Sequence, residues 1–568
     1  MLISSIEKTF INFLVTGSVA ITLVIVAGPV ADPVNVSKFL LLGVVAGGIA
    51  ALLIRSGLRK AFQGTKGIVI AISAFIGVSL LALMASTTPF VQNFYGDVGR
   101  NTGFLTYLFL GIIALGGAVV REVQGFKKIL FGFFIAGLVN LAYGFWAWQF
   151  GDFVPWNNIY GNLLGTFGNP NFMGAFLGMF GTAVAAYAAA PERSWRLRLI
   201  ALAIWILTFL EIIQTSAVQG LVLITGGLGL VGFYVIRSLT KSFKLPMLYV
   251  FFVSVIGLIA VMGALQKGPL SSLIYKRSVS LRGSYWQTAI DMGLDHPFTG
   301  VGMDSFGTYY RKYRSLNAAT VMPGPDTITN AAHNVFLDFF AYGGFPLLMA
   351  YLAIIFFAGR AIFRITLRNR SYDPIFVTLA VIWICYQVQS IISINQIGLA
   401  IWGWLLSGLL VSYEIVTRKT EQDKPTPHSV SKKKQKVRNE PVVPVGLIAS
   451  IGMAVGFILA IPPFTADYKY LHAVNSTNLE NLESALKPGY LNPSNIIKYA
   501  DAYNVLVNSD LPDKAVIYSR AAVGFNPENY DAWKILYYSA NATPEEKAQA
   551  KQKMIELDPL NKANKELP

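Results

Sequence analysis

The sequence predicts an all-α protein: a polytopic transmembrane helical bundle of about thirteen spans, a large extracytoplasmic loop and a C-terminal α-helical repeat domain. Three observations carry that prediction. In 568 residues the hydrophobic fraction is 54% and the charged fraction 13%, which leaves too little polar surface for a soluble fold of this size. Lysine and arginine gather in alternate loops, as they do when one side of a membrane retains them. After the last apolar run the composition changes to a mixed-charge sequence punctuated by three proline turns.

Hydropathy places the spans at 10–30, 38–54, 67–86, 103–120, 128–150, 171–190, 198–213, 217–236, 247–265, 334–359, 374–394, 396–416 and 443–463. The first follows a single lysine and has no small-residue cleavage site, so it reads as an uncleaved span. With the N-terminus inside, the basic clusters Arg55/Arg59/Lys60/Lys66, Arg121/Lys127/Lys128, Arg193/Arg196/Arg198, Arg237/Lys241/Lys244 and Arg360/Arg364/Arg368/Arg370 all fall on the cytoplasmic side. The opposite side is sparsely charged, with Lys38 in the first outer connection and Arg100 in the second. On this reading residues 1–417 form the polytopic domain, 418–442 a basic cytoplasmic linker and 443–463 the last span. Residues 465–568 are then extracytoplasmic, and the expected location is a bacterial cytoplasmic membrane.

The net charge of +16 is mostly this topology signal. Lys432-Lys433-Lys434 lies in a Pro/Ser/Lys-rich linker without base-stacking or groove-reading residues, so nucleic acid is excluded as a partner and anionic membrane lipid fits. The single cysteine, Cys385, lies inside a span and rules out an intramolecular disulfide framework.

In the C-terminal domain the turns Leu491-Asn492-Pro493-Ser494-Asn495, Phe525-Asn526-Pro527-Glu528-Asn529 and Leu557-Asp558-Pro559-Leu560-Asn561 recur at spacings of about 34 and 32 residues. With Ala515, Tyr518, Ala521 and Ala522 before the second turn and Asp531-Ala532-Trp533 after it, this segment resembles the tetratricopeptide helix-turn-helix repeat. That resemblance implies a partner-binding surface and no chemistry of its own.

The chemistry points to the polar interruption 266–333 between two spans. It is basic, with Lys267, Lys276, Arg277, Arg282, Arg311, Lys312 and Arg314, on the side where such residues are scarce. Leu281, Tyr285, Ala289 and Met292 recur at helical spacing, which puts Arg282 and Trp286 on another face. Turns follow at Asp295-His296-Pro297 and Gly300-Val301-Gly302, where His296 reads as structural; then come a basic-aromatic helix from Tyr309 to Arg314 and the pair His333-Asn334. Tyr342-Gly343-Gly344-Phe345-Pro346 breaks the next span. The 12 residues from Pro346 to Phe357 are too few to cross a hydrocarbon core of about 30 Å at about 1.5 Å each. A break at that depth is tolerated where it is buried in protein or lines a wet cavity.

Arg282 with Trp286, His296-Pro297 followed by Gly300-Val301-Gly302 and Phe306, His333-Asn334 with Leu337, and the Gly-Phe-Pro break together resemble the O-antigen ligase and polymerase superfamily of bacterial envelope glycan enzymes, which includes protein O-oligosaccharyltransferases. Gly165-Thr166-Phe167-Gly168-Asn169-Pro170-Asn171 is similar to that family's turn ahead of a span. Two positions depart from the pattern: members often carry an acidic residue where Tyr342 stands, and a Ser-Arg-Gly-like motif where this chain has Ser216-Ala217-Val218-Gln219-Gly220.

The resemblance implies transfer of a glycan from an undecaprenyl-pyrophosphate carrier to a lipid, protein or glycan hydroxyl on the outer face. Pyrophosphate is already a good leaving group, so no cofactor is expected, and the sequence has no phosphate-cradling Gly-Lys-Ser/Thr motif. Arginine suits the anion because its planar guanidinium stays charged and offers paired donors. Arg282 is the leading candidate, with Arg311 and Arg314 behind it. His333 suits the general base that takes the acceptor's proton. Asn334, Trp286, Asn169 and Asn171 are the remaining substrate-binding candidates, although Asn169-Pro170 fits a helix cap equally well. A metal-dependent transferase would need paired carboxylates, whereas Asp32, Asp97, Asp152, Asp295, Asp304 and Asp326 are not paired in sequence. A transporter of lipid-linked glycan or an envelope assembly scaffold are the rival classes; the first would show internal repeats, and the second leaves the basic loop unexplained.

Overall fold

The computed structural model describes residues 2–156, 158, 161–264, 267–268, 277–422, 444–476 and 478–568. The expected linker 418–442 lies largely outside these residues, as do Gln266 and Lys276. Among the described residues the chain is helical and contains no β-strand. The membrane part comprises α1 (Leu2–Leu23), α2 (Asn35–Ser56), α3 (Lys66–Ala85), α4 (Phe104–Ala118), α5 (Val123–Phe150), α6 (Pro170–Ala188), α7 (Trp195–Gln214), α8 (Val218–Thr240) and α9 (Lys244–Ala264). After the polar helices α10 (Arg277–Asp295) and α11 (Phe306–Tyr313) come α12 (Val335–Arg368), α13 (Pro374–Ile392), α14 (Ile397–Gln422) and α15 (Val445–Asn475). Ten of these helices are long and apolar enough to cross a membrane. The shorter apolar helices α4 and α9, together with α1, supply a helix at each remaining expected span. The protein is a polytopic helical membrane protein.

The most extensive helix pairing joins the second span to the last. A Cβ on Gly47 would lie 2.1 Å from the Gly452 carbonyl oxygen, and one on Gly456 would lie 2.0 Å from that of Gly43. Only glycine allows backbones to approach so closely, which is the small-residue packing of helices in lipid, where hydrophobic exclusion provides no drive. Lys38, expected in an outer connection, instead sits in the first turn of α2. Its ammonium donates to the carbonyls of Ile21 (3.1 Å) and Val24 (3.2 Å), capping the end of α1.

The break in α12 falls at Gly343 (φ −145°, ψ 19°) and Gly344 (φ 63°, ψ −161°), as the Gly-Gly-Phe-Pro sequence predicts. The half beyond it corrects the length expectation, because it continues through Arg360 and Arg364 to Arg368. From Phe345 that is about 36 Å at about 1.5 Å per residue, enough to span alone. The half before the break is a short helix that carries the His333 end. Backbone groups freed by the break are met by the loop before α11. The Val301 and Gly302 N–H groups donate to the carbonyls of Ala341 (2.8 Å) and Tyr342 (3.1 Å), and the Phe345 N–H donates to the Pro297 carbonyl (2.8 Å). A Cβ on Gly300 would sit 2.3 Å from the Gly343 nitrogen, so the Gly-Val-Gly motif is there to let this loop enter the kink.

The last span also corrects a boundary: α15 runs to Asn475, past the expected end at 463 and through Pro462 and Pro463. It leads into the helices α16 (Leu479–Leu486), α17 (Ile496–Asn508), α18 (Pro512–Phe525), α19 (Tyr530–Tyr538) and α20 (Pro544–Leu557), which pack in chain order. Each expected turn has a physical purpose. The Asn495 and Asn529 side chains cap α17 and α19, and the position before each proline, Asn492, Asn526 or Asp558, is buried.

Candidate active site

The head of α12 is shaped by two side chains that share the work of ending a loop. Asn334 Oδ1 accepts from the N–H groups of Phe336 (3.0 Å) and Leu337 (3.2 Å), a helix N-cap. Asp338, one turn on, accepts from the Ala332 N–H at 2.7 Å and pulls the chain back over the helix start. His333, between them, is held at φ 56°, a left-handed conformation uncommon for residues other than glycine. Its ring stacks on Tyr285 of α10, with centroids 5.8 Å apart and planes at 28°. Burial first, and then the guanidinium charges of Arg100 and Arg282, push its pKa down to about 3. The imidazole is therefore neutral in the free protein at any ordinary pH.

Arg282 stands one turn before Tyr285 and Trp286 on α10 and is itself partly desolvated, which lowers its pKa. Arg100 is the residue that sequence reasoning passed over. It lies in the connection between α3 and α4 and donates to the Asn330 side-chain oxygen. Its signal was visible only as a lone arginine on a sparsely charged face. Around these groups, Arg100 Nε, the Trp286 indole N–H and the hydroxyls of Ser284 and Tyr310 are buried without a hydrogen-bond partner. Such groups are costly to leave empty, and here they accompany two arginines and a neutral imidazole.

Two of the loop carboxylates, Asp97 and Asp304, are closer together than their sequence positions indicated. Asp304 Oδ2 accepts from the N–H groups of Asp97 (2.8 Å) and Thr102 (3.2 Å), and Asp304 Oδ1 accepts from the Tyr342 hydroxyl (3.3 Å). Burial raises the pKa of both acids, and the charge of Asp304 adds to the shift of Asp97, which reaches about 7. Tyr342, where family members often carry an acid, thus meets an acid supplied by the loop. Among the described residues no group of three or more His, Cys, Asp or Glu side chains is arranged to hold a metal ion.

Two sequence candidates are engaged elsewhere. Arg314 Nη2 donates to both carboxylate oxygens of Asp558, at 2.8 and 2.7 Å, and neither side chain has any exposed surface. Arg311 adds a contact to the same carboxylate at 3.4 Å, lies 3.7 Å from Asp531 and covers the Tyr530 ring at 4.4 Å. The arginines expected to bind pyrophosphate instead face a carboxylate of the C-terminal domain in this structure. These contacts join that domain to the loop. Asn169 Oδ1 is taken up by the Asn171 N–H at the start of α6, and the Asn171 carbonyl accepts from Gln219. The Ser216–Gly220 departure lies in that same corner, where a Cβ on Gly220 would meet the Gly174 carbonyl at 2.7 Å. His296 has the structural place expected of it, at the end of α10 beside the Tyr313 hydroxyl (3.2 Å).

The fold and the site define a polytopic membrane protein that gathers two arginines and a neutral histidine in a positively charged, partly desolvated cluster. The sequence model of the O-antigen ligase family matches residues 202–352, a stretch that contains Arg282, Trp286, the Gly-Val-Gly loop, His333, Asn334 and the break in α12. Over that stretch the chain is similar to the O-antigen ligase family, which supports an activity of the ligase/polymerase glycosyltransferase type in general. No curated protein matches it.

Proposed function

We infer that the chain transfers a glycan from an undecaprenyl-pyrophosphate carrier to an acceptor hydroxyl at the outer face of a bacterial cytoplasmic membrane. The observation that carries this reading is the neutral His333 imidazole set beside Arg282 and Arg100. The arginines hold the diphosphate oxygens and stabilise the charge that grows as the anomeric C–O bond breaks, an interaction strengthened by their partly dry setting. The acceptor oxygen attacks the anomeric carbon, and the bonding electrons leave with the diphosphate. The acceptor proton passes to His333. In the free site the imidazole is a weak base; a bound dianion offsets both guanidinium charges and raises its basicity when substrate is present. Trp286 offers an aromatic face and a free N–H to the sugar, and Asn334 fixes the direction from which His333 enters. The reaction needs no metal ion, since the arginines take the anion.

The C-terminal helices, on their likeness to tetratricopeptide repeats, present a surface for a protein partner or acceptor. The test is transfer by full-length protein in proteoliposomes loaded with lipid-linked glycan. His333→Ala and Arg282→Ala each abolish transfer while the protein is still made and still binds detergent normally; ordinary activity in either variant refutes that residue's role. Transfer persists in a divalent-metal chelator, and a loss restored by magnesium refutes the metal-free mechanism.

A further inference from the structure

At the other end of α12 a charged cavity opens, and nothing in the transfer chemistry uses it. It has a volume of about 150 Å³ and is lined by Arg360, Arg364, Glu414, Arg418, Gly64 and Thr65 above an apolar floor of Ile68, Phe357, Val411 and Ile415. Arg364 stands nineteen residues beyond Phe345, about 29 Å along the helix at about 1.5 Å per residue. That is one hydrocarbon thickness of about 30 Å, so the cavity sits at the membrane surface opposite the candidate active site.

Among the described residues, the lining of this cavity carries three guanidiniums, Arg360, Arg364 and Arg418, and one carboxylate, Glu414. Arg418 lies 3.8 Å from Glu414. Arg360 and Arg364 stand one turn apart on α12, on the same wall. Solvated positive-inside residues would spread over the surface and need no concavity. These converge from two helices on a recess that the loop at Gly64, at φ 87°, closes from a third side. Gly67 permits that closure, because a Cβ there would meet the Phe357 ring at 2.4 Å.

We propose that this cavity is a binding site for the phosphate headgroup of an anionic glycerophospholipid in the leaflet opposite the active site. The recess of about 150 Å³ admits a phosphodiester, and arginine guanidiniums match its oxygens. The apolar floor selects a lipid over a free anion, because acyl chains continue where the headgroup ends. Basic pockets between spans bind anionic headgroups by this combination of charge and apolar contact.

The test compares full-length protein in detergent, by native mass spectrometry, after titration with phosphatidylglycerol, phosphatidylcholine or inorganic phosphate. Wild-type protein retains phosphatidylglycerol in preference to phosphatidylcholine, and Arg360→Gln/Arg364→Gln weakens that retention about 25-fold, fivefold per arginine removed. Arg370→Gln, on the same basic end but outside the cavity, leaves it unchanged. Equal retention of phosphatidylcholine, undiminished preference in the double variant, or an equal loss in Arg370→Gln overturns the proposal. So does inorganic phosphate that displaces the lipid at matched concentration. Glycan transfer is measured in parallel and is expected in all three proteins, which separates this site from the active site.

Discussion

Removing the Asp558 carboxylate isolates the contact that fixes the C-terminal domain to the loop. Asp558→Ala takes away the acceptor of both Arg314 Nη2 bonds and of the Arg311 contact; Arg311 keeps Asp531 at 3.7 Å, while Arg314 keeps only the Gly324 and Pro325 carbonyls and is left as a buried guanidinium without a carboxylate. Breaking a buried pair from one side costs about 3–5 kcal/mol, because the remaining charge has no compensation. At about 1.4 kcal/mol per decade, the population with the domain detached rises by roughly 10² to 10⁴. Hydrogen exchange of full-length protein in detergent reads this directly, as lost protection in 306–325 and in α19 and α20. Transfer activity falls as well, because the loop helix bearing Arg314 also carries Tyr310, which packs on Tyr285 at 6.0 Å, the ring against His333. Replacing the trio by apolar residues, Arg311→Met, Arg314→Met and Asp558→Leu, restores protection, since apolar packing can substitute for a buried ion cluster. Unchanged exchange in Asp558→Ala refutes the clamp, and a failure of the apolar trio shows that geometry rather than charge balance holds the domain.

The other predictions concern the cluster around His333 and the seam. In ¹⁵N-histidine spectra, the signal that disappears in His333→Ala stays neutral down to about pH 3; a midpoint near 6.5 for that signal means the imidazole is not buried beside two arginines. Because the unfolded chain takes up that proton near pH 6.5 and the folded one refuses it until about 3, His333 removes stability as pH falls through this window, and His333→Ala flattens that slope. Arg100→Ala lowers turnover by about 10²-fold, the range for deleting one charge-stabilising donor, and raises the His333 pKa; a fall in activity without any shift in that titration separates Arg100 from the imidazole. Gly47→Val forces α2 and α15 apart and costs about 1–3 kcal/mol as overpacking, read as a lower unfolding midpoint, while equal stability refutes the close seam.

The spans were legible because length and apolarity are local properties, and so was the break at Gly343-Gly344, whose residues cannot hold a straight helix. The extra length of α12 was not, because Arg360 and Arg364 end a hydropathy window without ending a helix. The anion-binding residues were only half legible. A basic-aromatic stretch such as Tyr309 to Arg314 has the same pattern whether its anion is a substrate or a side chain, and Asp558 lies 244 residues away from Arg314. One sign was present: the buried position before the turn proline is Asn at 492 and 526 and Asp at 558. Arg100 and the Asp97–Asp304 neighbours were obscured for the same reason, since they come from separate loops that only the packed bundle brings together.

The glycine seam between α2 and α15 sets an order of events. Gly47 and Gly452 are separated by about 400 residues of chain, which take roughly 20–80 s to synthesise at about 5–20 residues per second. For that interval the glycine face of the second span has no proper partner in the membrane. The C-terminal helices follow the last span, so the contacts of Asp531 and Asp558 with Arg311 and Arg314 form only when synthesis is nearly finished.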